Sequence, residues 1–204
     1  MFWLETVDGV RLEATLDGPE SPRGIVVLCH PLPTAGGTMH NPIVLAISAA
    51  VVARDWAALR FNFRGVGGSG GTFGEGVAER ADVAAALDEA GRRAPGAVAV
   101  AGYSFGSSVA AMVEGAHREG GGEPRPLALV APPFGRWPFP DGGVFTARPP
   151  CVVIGSRDQF ANVDVLAIWS RDAAARVHTF PNADHFFAFR HDAVGTTVAE
   201  CVAT

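Results

Sequence analysis

The sequence predicts an α/β fold in which a mostly parallel, twisted sheet carries helices on both faces. Short apolar runs such as Gly24–Cys29 (GIVVLC) and Cys151–Gly155 (CVVIG) lack the apolar–polar alternation of a half-wetted strand and read as strands buried on both sides. Between such runs lie Ala- and Val-rich stretches whose apolar residues recur at helical spacing, so strand and helix alternate along the chain. The composition agrees. A chain of 204 residues with 48% hydrophobic and 18% charged side chains can bury a core without metals or disulfides, and is far too apolar for a disordered protein.

Phe2–Val7 and Val10–Leu16 alternate around Asp8-Gly9, a turn pair that predicts an N-terminal β-hairpin. Gly24–Cys29 is the first buried strand. The Pro- and Gly-punctuated loop 30–41 leads into a helix over about 42–54. A strand at Ala57–Phe63 precedes the Gly-rich loop 64–76 and a helix over about 78–93, whose Val83, Ala86, Leu87 and Ala90 share one face. Strand Ala97–Tyr103 meets helix Phe105–Arg118, and strand Leu127–Ala131 follows a Gly/Pro loop. Strand Cys151–Gly155, helix Asn162–Asp172, strand Arg176–Phe180 and a helix within His185–Val202 complete the order. No repeat and no linker-like composition interrupts residues 1–204, which predicts a single domain.

Sixteen basic against 21 acidic residues give a formal net charge of −5, which argues against general nucleic-acid binding. All sixteen basic residues are Arg. The absence of Lys excludes chemistry that needs an ε-amine, including a Walker A phosphate loop, a Schiff base and a pyridoxal-phosphate anchor. Cys29, Cys151 and Cys201 are odd in number and lack metal-like spacing. Cys29 and Cys151 read as small core residues, and neither a metal nor a cofactor is expected. The early acids Glu5 and Asp8 are unlike a signal peptide, and no run nears the ~18 apolar residues of a membrane span. The expectation is a soluble, cytoplasmic protein without a membrane partner.

The sharpest chemical signal is Gly102-Tyr103-Ser104-Phe105-Gly106, a G-x-S-x-G between a predicted strand and a predicted helix. A strand that turns at once into a helix forces its central Ser into a strained conformation, and the flanking glycines remove side chains that would clash. Ser104 then projects from the carboxyl edge of the sheet beside the free N–H groups of a helix start. A hydroxyl nucleophile needs a base, and the base an orienting acid, placed after later strands at the same edge. Asp158 follows strand 151–155 and His185 follows strand 176–180. Asp184 adjoins His185 too closely to face it, Asp164 falls in a helix, and Asp141 follows its strand by a long loop. Between Pro31 and Pro33, Leu32 carries the one N–H able to pair with that of Phe105 as an oxyanion hole. Gly65-Val66-Gly67-Gly68-Ser69-Gly70 matches G-x-G-x-x-G formally, but the acids about 20 residues on, Asp88 and Glu89, fall on a helix, so a mobile loop rimming the site is expected instead of a dinucleotide site.

With these residues in place, the chain resembles the α/β-hydrolase superfamily, and within it the small lidless bacterial branch. The resemblance is carried by HPLPTAGGTMHN (30–41), RFNFRGVGGSG (60–70), GYSFG (102–106), GSRD (155–158) and ADHFF (183–187), and spans nearly the whole chain from about Gly24. It implies an eight-stranded, mostly parallel sheet, Ser104 as nucleophile, His185 as base and Asp158 as orienting acid. Related proteins often carry a second His where Leu32 stands and an acid where His40 stands, and an apolar pair and Pro where Gln159–Asn162 follow the acid. The implied activity is a serine hydrolase acting through an acyl-enzyme on small carboxylic esters or thioesters. A C–C bond or amide hydrolase, or a non-catalytic binding member of the same fold, remains the alternative. The short segment 132–143 leaves no room for a cap domain, and its Phe134, Trp137 and Phe139 are candidates for the wall of an acyl pocket.

Overall fold

The computed structural model describes residues 1–94 and 96–204. Gly9 takes a left-handed turn at φ 79°, and strand β1 (Phe2–Glu5) folds back antiparallel onto β2 (Arg11–Asp17). The remaining strands are β3 (Ile25–Cys29), β4 (Ala57–Phe61), β5 (Val98–Tyr103), β6 (Leu127–Val130), β7 (Cys151–Gly155) and β8 (Arg176–Phe180). Among the described residues they make one eight-stranded sheet in the order β1-β2-β4-β3-β5-β6-β7-β8, antiparallel at β1–β2–β4 and parallel from β4 onward. The helices are α1 (Pro42–Val52), α2 (Glu79–Arg93), α3 (Phe105–Glu119), α4 (Val163–Asp172) and α5 (His191–Val202). Asn41 and Asn162 cap α1 and α4, each accepting hydrogen bonds from first-turn backbone N–H groups.

The unbroken apolar runs follow from burial on both faces. Ile25, Val27 and Cys29 of β3 point into a core shared with α2, α3 and α4, whereas Val26 and Leu28 point into a second core shared with α1 and α5. Val100 faces the first core, and Ala99, Ala101 and Tyr103 face the second. Every parallel strand therefore delivers its carboxyl end to one edge of the sheet, while the helices leave that edge open. Residues 131–150, between β6 and β7, hold only a 3-10 turn at Gly142–Phe145. No helix among the described residues is long and apolar enough to cross a membrane.

Two expectations need correction. The 64–76 loop is not a loose rim. Arg64 donates to Asp82 and Asp8, Gly68 N–H to Glu13, Gly70 N–H to Arg11 O and Gly65 N–H to Gly70 O, which staples the loop to the hairpin and to α2. Those N–H groups are spent, and a carboxylate lies where a phosphate would need them, so the loop offers no dinucleotide cradle. Second, Cys151 is not an isolated core residue: it is joined to Cys201 as a disulfide with the Cα atoms 6.1 Å apart, while Cys29 stays free and buried. The pairing depends on α5 folding back across β7, a contact between residues 50 apart in the chain that local spacing cannot reveal.

Candidate active site

The elbow at Ser104 is built as its sequence demands. Ser104 sits at φ 53°, ψ −121° between β5 and α3, in a region L-residues avoid, and is held there by its N–H donating to Val130 O at 2.8 Å. A Cβ on Gly102 would collide with Gly106 O, and one on Gly106 with Cys29 O and His30 O. The two glycines of the motif are thus spacing devices. One lets the elbow close and the other lets the loop after β3 rest on the first turn of α3.

The loops after β7 and β8 are stitched together before their side chains meet. Arg157 N–H donates to Ala183 O, Ser156 N–H to Phe180 O, and Asn182 N–H to Ser156 Oγ. Gly155 lies so close to Ala183 O that a side chain there would clash. Across this seam His185 Nδ1 lies 2.9 and 3.0 Å from the two oxygens of Asp158, and its Nε2 lies 2.8 Å from Ser104 Oγ. Asp158 Oδ1 also accepts from the N–H groups of Phe160 and Ala161, which fixes the carboxylate. His185 and the Asp158 carboxylate are buried, and Ser104 remains partly open to solvent. The ring partners imply a proton on Nδ1, facing an acceptor-only carboxylate, and an unprotonated Nε2 able to accept the Ser104 proton. The other acids lie elsewhere: Asp184 accepts from Phe186 N–H, Asp141 from Gly143 N–H, and Asp164 sits exposed in the first turn of α4.

Leu32 sits at φ −50°, ψ 118°, ahead of the 3-10 turn Pro33–Ala35. Its carbonyl accepts from Ala35 and Gly37 N–H, and its own N–H donates to no group among the described residues. Phe105 N–H, first in α3, has no intrahelical acceptor. Both are thus free donors on neighbouring segments that touch through Gly106. The Phe105 ring is fully buried, 5.6 Å from Phe63 and 4.8 Å from Trp137.

Of the three aromatics expected to wall a pocket, Trp137 packs on the rings of Phe73 and of Phe105, the residue after Ser104. Phe134 is 2% exposed and packs on Phe139 and Trp169, and Phe139 lies half-buried on the same cluster. Phe134 belongs to the core, and Phe139 packs against it with part of its surface open. The Pro-rich segment folds back over α4, where Trp169 Nε1 donates to Pro140 O and pins it.

Sequence reasoning missed the groups that hold His185. Tyr103 Oη donates to His185 O at 3.1 Å, His185 N–H donates to Gln159 Oε1 at 3.3 Å, and the rings of Phe160 and Phe186 stand edge-on to the imidazole. Tyr103 lies inside the G-x-S-x-G motif, which was the available signal. His30 is a further missed group, and the sequence marks it only as part of a motif. It is fully buried, and its Nε2 accepts from Phe63 N–H at 3.0 Å. Nδ1 must then carry the proton and donate to Pro31 O at 2.6 Å. The imidazole thereby clamps the loop bearing Leu32 to the end of β4. Burial, opposed only by the Pro31 carbonyl, lowers its pKa from 6.5 to about 4.

This gives a testable acid sensitivity. A histidine held neutral in the fold but free to protonate when unfolded contributes stability that is complete above about pH 6.5 and is lost as pH falls toward about 4. The shift corresponds to on the order of 3 kcal/mol. Thermal unfolding followed from pH 8 to pH 4 should show that loss in the parent, and a His30→Gln variant should lack this part of the slope. Parallel pH profiles for the two proteins would refute it.

Comparison with known structures identifies the architecture. A lidless α/β serine hydrolase of Xanthomonas campestris superposes with a TM-score of 0.84 at 28% identity, over 98% of this chain and 91% of that one. The chain has the α/β-hydrolase fold. An α/β serine hydrolase homologue of Coxiella burnetii matches equally well, with a TM-score of 0.84 at 27% identity over 98% of this chain and 95% of that one. Est1E of Butyrivibrio proteoclasticus, solved with ferulic acid bound, shares the fold at a TM-score of 0.82 and 17% identity over 98% of this chain and 97% of that one. By sequence, an uncharacterised protein of Rickettsia prowazekii is 39% identical over 106 residues, which span 51% of this chain and 43% of that protein. No family model matches the chain.

Proposed function

We propose that this protein is a serine hydrolase that cleaves small carboxylic esters or thioesters through an acyl-enzyme. The observation that carries the reading is the unbroken hydrogen-bond chain from Ser104 Oγ through His185 to Asp158, set on a strained elbow at the carboxyl edge of the sheet. In this mechanism His185 Nε2 takes the Ser104 proton as Oγ attacks the acyl carbon, and Asp158 holds the ring in the Nδ1–H tautomer and stabilises the imidazolium. Leu32 and Phe105 N–H groups receive the oxyanion. The proton returns to the leaving group, and water activated by the same imidazole releases the acid. Similarity to lidless serine hydrolases at 27–28% identity supports the reading at the level of hydrolase. The accompanying expectations are a small-molecule acyl substrate, no nucleic-acid or membrane partner, and a cytoplasmic location.

Labelling with a fluorophosphonate, followed by a panel of matched ester, thioester and amide substrates, tests the proposal. We expect stoichiometric labelling of Ser104 and turnover of the esters or thioesters. A folded protein that neither labels nor turns over any member of the panel is a binding protein on the same fold. Because residues 131–150 supply no cap, short soluble acyl chains should be preferred, with no rise in rate at a lipid–water interface. Activity that jumps when a long-chain substrate passes into emulsion would contradict this.

A further inference from the structure

Away from the edge that bears Ser104, three soft or nitrogen donors converge. Cys151 opens β7, Cys201 lies in the last turn of α5, and His178 lies in β8. Their ligand atoms all fall within 4.8 Å of one another, and His178 Nε2 is 3.9 Å from Cys201 Sγ. The two sulfurs are joined as a disulfide. A core of this size does not need a single covalent staple, and in a reducing compartment such a pair is transient. The surroundings are also asymmetric. Cys151 is 1% exposed and Cys201 8%, while His178 is open to solvent. Arg176 stands opposite Cys151 in the β7–β8 register, and Arg54 Nε donates to Ala203 O two residues after Cys201, so each cysteine has an arginine on a neighbouring segment. Cys29 is remote from this chemistry: it is fully buried, and burial pushes its thiol well above the usual range.

We propose that Cys151, Cys201 and His178 form a thiol–disulfide exchange site that reacts with anionic low-molecular-weight disulfides. In the reduced protein Cys201 gives its proton to His178 and its sulfur attacks one sulfur of the small disulfide. A mixed disulfide forms on Cys201 and the first small thiolate leaves. The Cys151 sulfur then attacks the Cys201 sulfur, closing the Cys151–Cys201 bond and expelling the second small thiolate. Both thiolates take up the protons released by the cysteines. Two electrons pass from the protein dithiol to the small disulfide, which ends as two thiols, and excess small thiol drives the reverse. Cys201 is the attacking residue because it is the less buried of the two and has the imidazole beside it.

The test uses the full chain with oxidised and reduced glutathione, quenched in acid, alkylated under denaturing conditions and read by mass spectrometry. The reduced parent should show three alkylated cysteines, the oxidised protein one, at Cys29, with full return in reduced glutathione. Cys151→Ala should retain one glutathione on Cys201, whereas Cys201→Ala should acquire one on Cys151 about tenfold more slowly. His178→Gln should slow oxidation of the otherwise intact protein about three- to tenfold without changing its melting temperature. Ser104→Ala should oxidise at the parental rate, which keeps this result separate from the hydrolase reading. Three outcomes would each overturn the proposal: no interconversion in the native protein at any glutathione ratio, equal rates of modification in Cys151→Ala and Cys201→Ala, or indifference to His178→Gln. Retention of one equivalent of zinc by the reduced protein, with oxidation blocked until it is chelated, would also overturn it and make the cluster a metal site.

Discussion

Ser104→Ala and His185→Ala should each lower ester turnover by a factor on the order of 10⁴–10⁶, and the double variant should be scarcely worse than either alone. In the proposed mechanism both residues serve one proton transfer. With Oγ removed, the base has no proton to take; with the imidazole removed, the hydroxyl has nowhere to send it. Asp158→Asn is a different lesion. The Asn amide can donate to Nδ1 and so favours the imidazole tautomer with Nε2–H, which is unable to accept from Ser104, at a cost of about 10⁴ in turnover. That variant should still label slowly with a fluorophosphonate, whereas Ser104→Ala should not label at all. Circular dichroism must show each variant folded. A folded Ser104→Ala protein with parental activity would sink the mechanism. Asp164→Asn proving more damaging than Asp158→Asn would move the acid and leave the nucleophile in place.

At Leu32 the expected result separates a side chain from a main-chain atom. Leu32→Ala should leave turnover within a few-fold, because the working group is the N–H. Leu32→Pro deletes that N–H, and loss of one oxyanion donor costs about 2.7–4 kcal/mol of transition-state stabilisation, or about 10²–10³ in turnover. Position 32 suits the test, since its φ of −50° lies within the range a proline ring imposes and its N–H holds no other group. The drop should fall on kcat with KM little changed, as expected for a contact made mainly in the transition state. Parental turnover in a folded Leu32→Pro protein would remove Leu32 from the mechanism.

The alternation of strands and helices was legible because strands buried on both faces leave unbroken apolar runs, and β7 and β8 match their predicted limits at both ends. Frayed ends were less legible. Phe63 continues the apolar pattern of β4 but lies beyond it, its N–H turned to the His30 ring instead of to a neighbouring strand. Ser104, Asp158 and His185 could be read together because a parallel sheet sends all its strand ends to one edge, so that sequence order after successive strands becomes spatial proximity. What the chain concealed were contacts that cross this order. The Glu13 carboxylate reaching Gly68 and the Cys151–Cys201 pair each join segments whose meeting depends on packing, not on any local pattern. Phe134 illustrates a further blind spot: a pocket wall and a core cluster draw on the same residue types, and its burial is set by the fold of the 131–150 segment over Trp169.

Gly106 sets the gauge of the proposed oxyanion hole. Because the backbone of Cys29 and His30 rests directly on it, no side chain intervenes between the two segments that supply the donors. Their separation is a main-chain dimension, indifferent to what the Leu32 side chain happens to be. The side chain at that position can therefore be exchanged without recalibrating the donors. In such an arrangement, range of substrate and competence for the reaction are inherited separately.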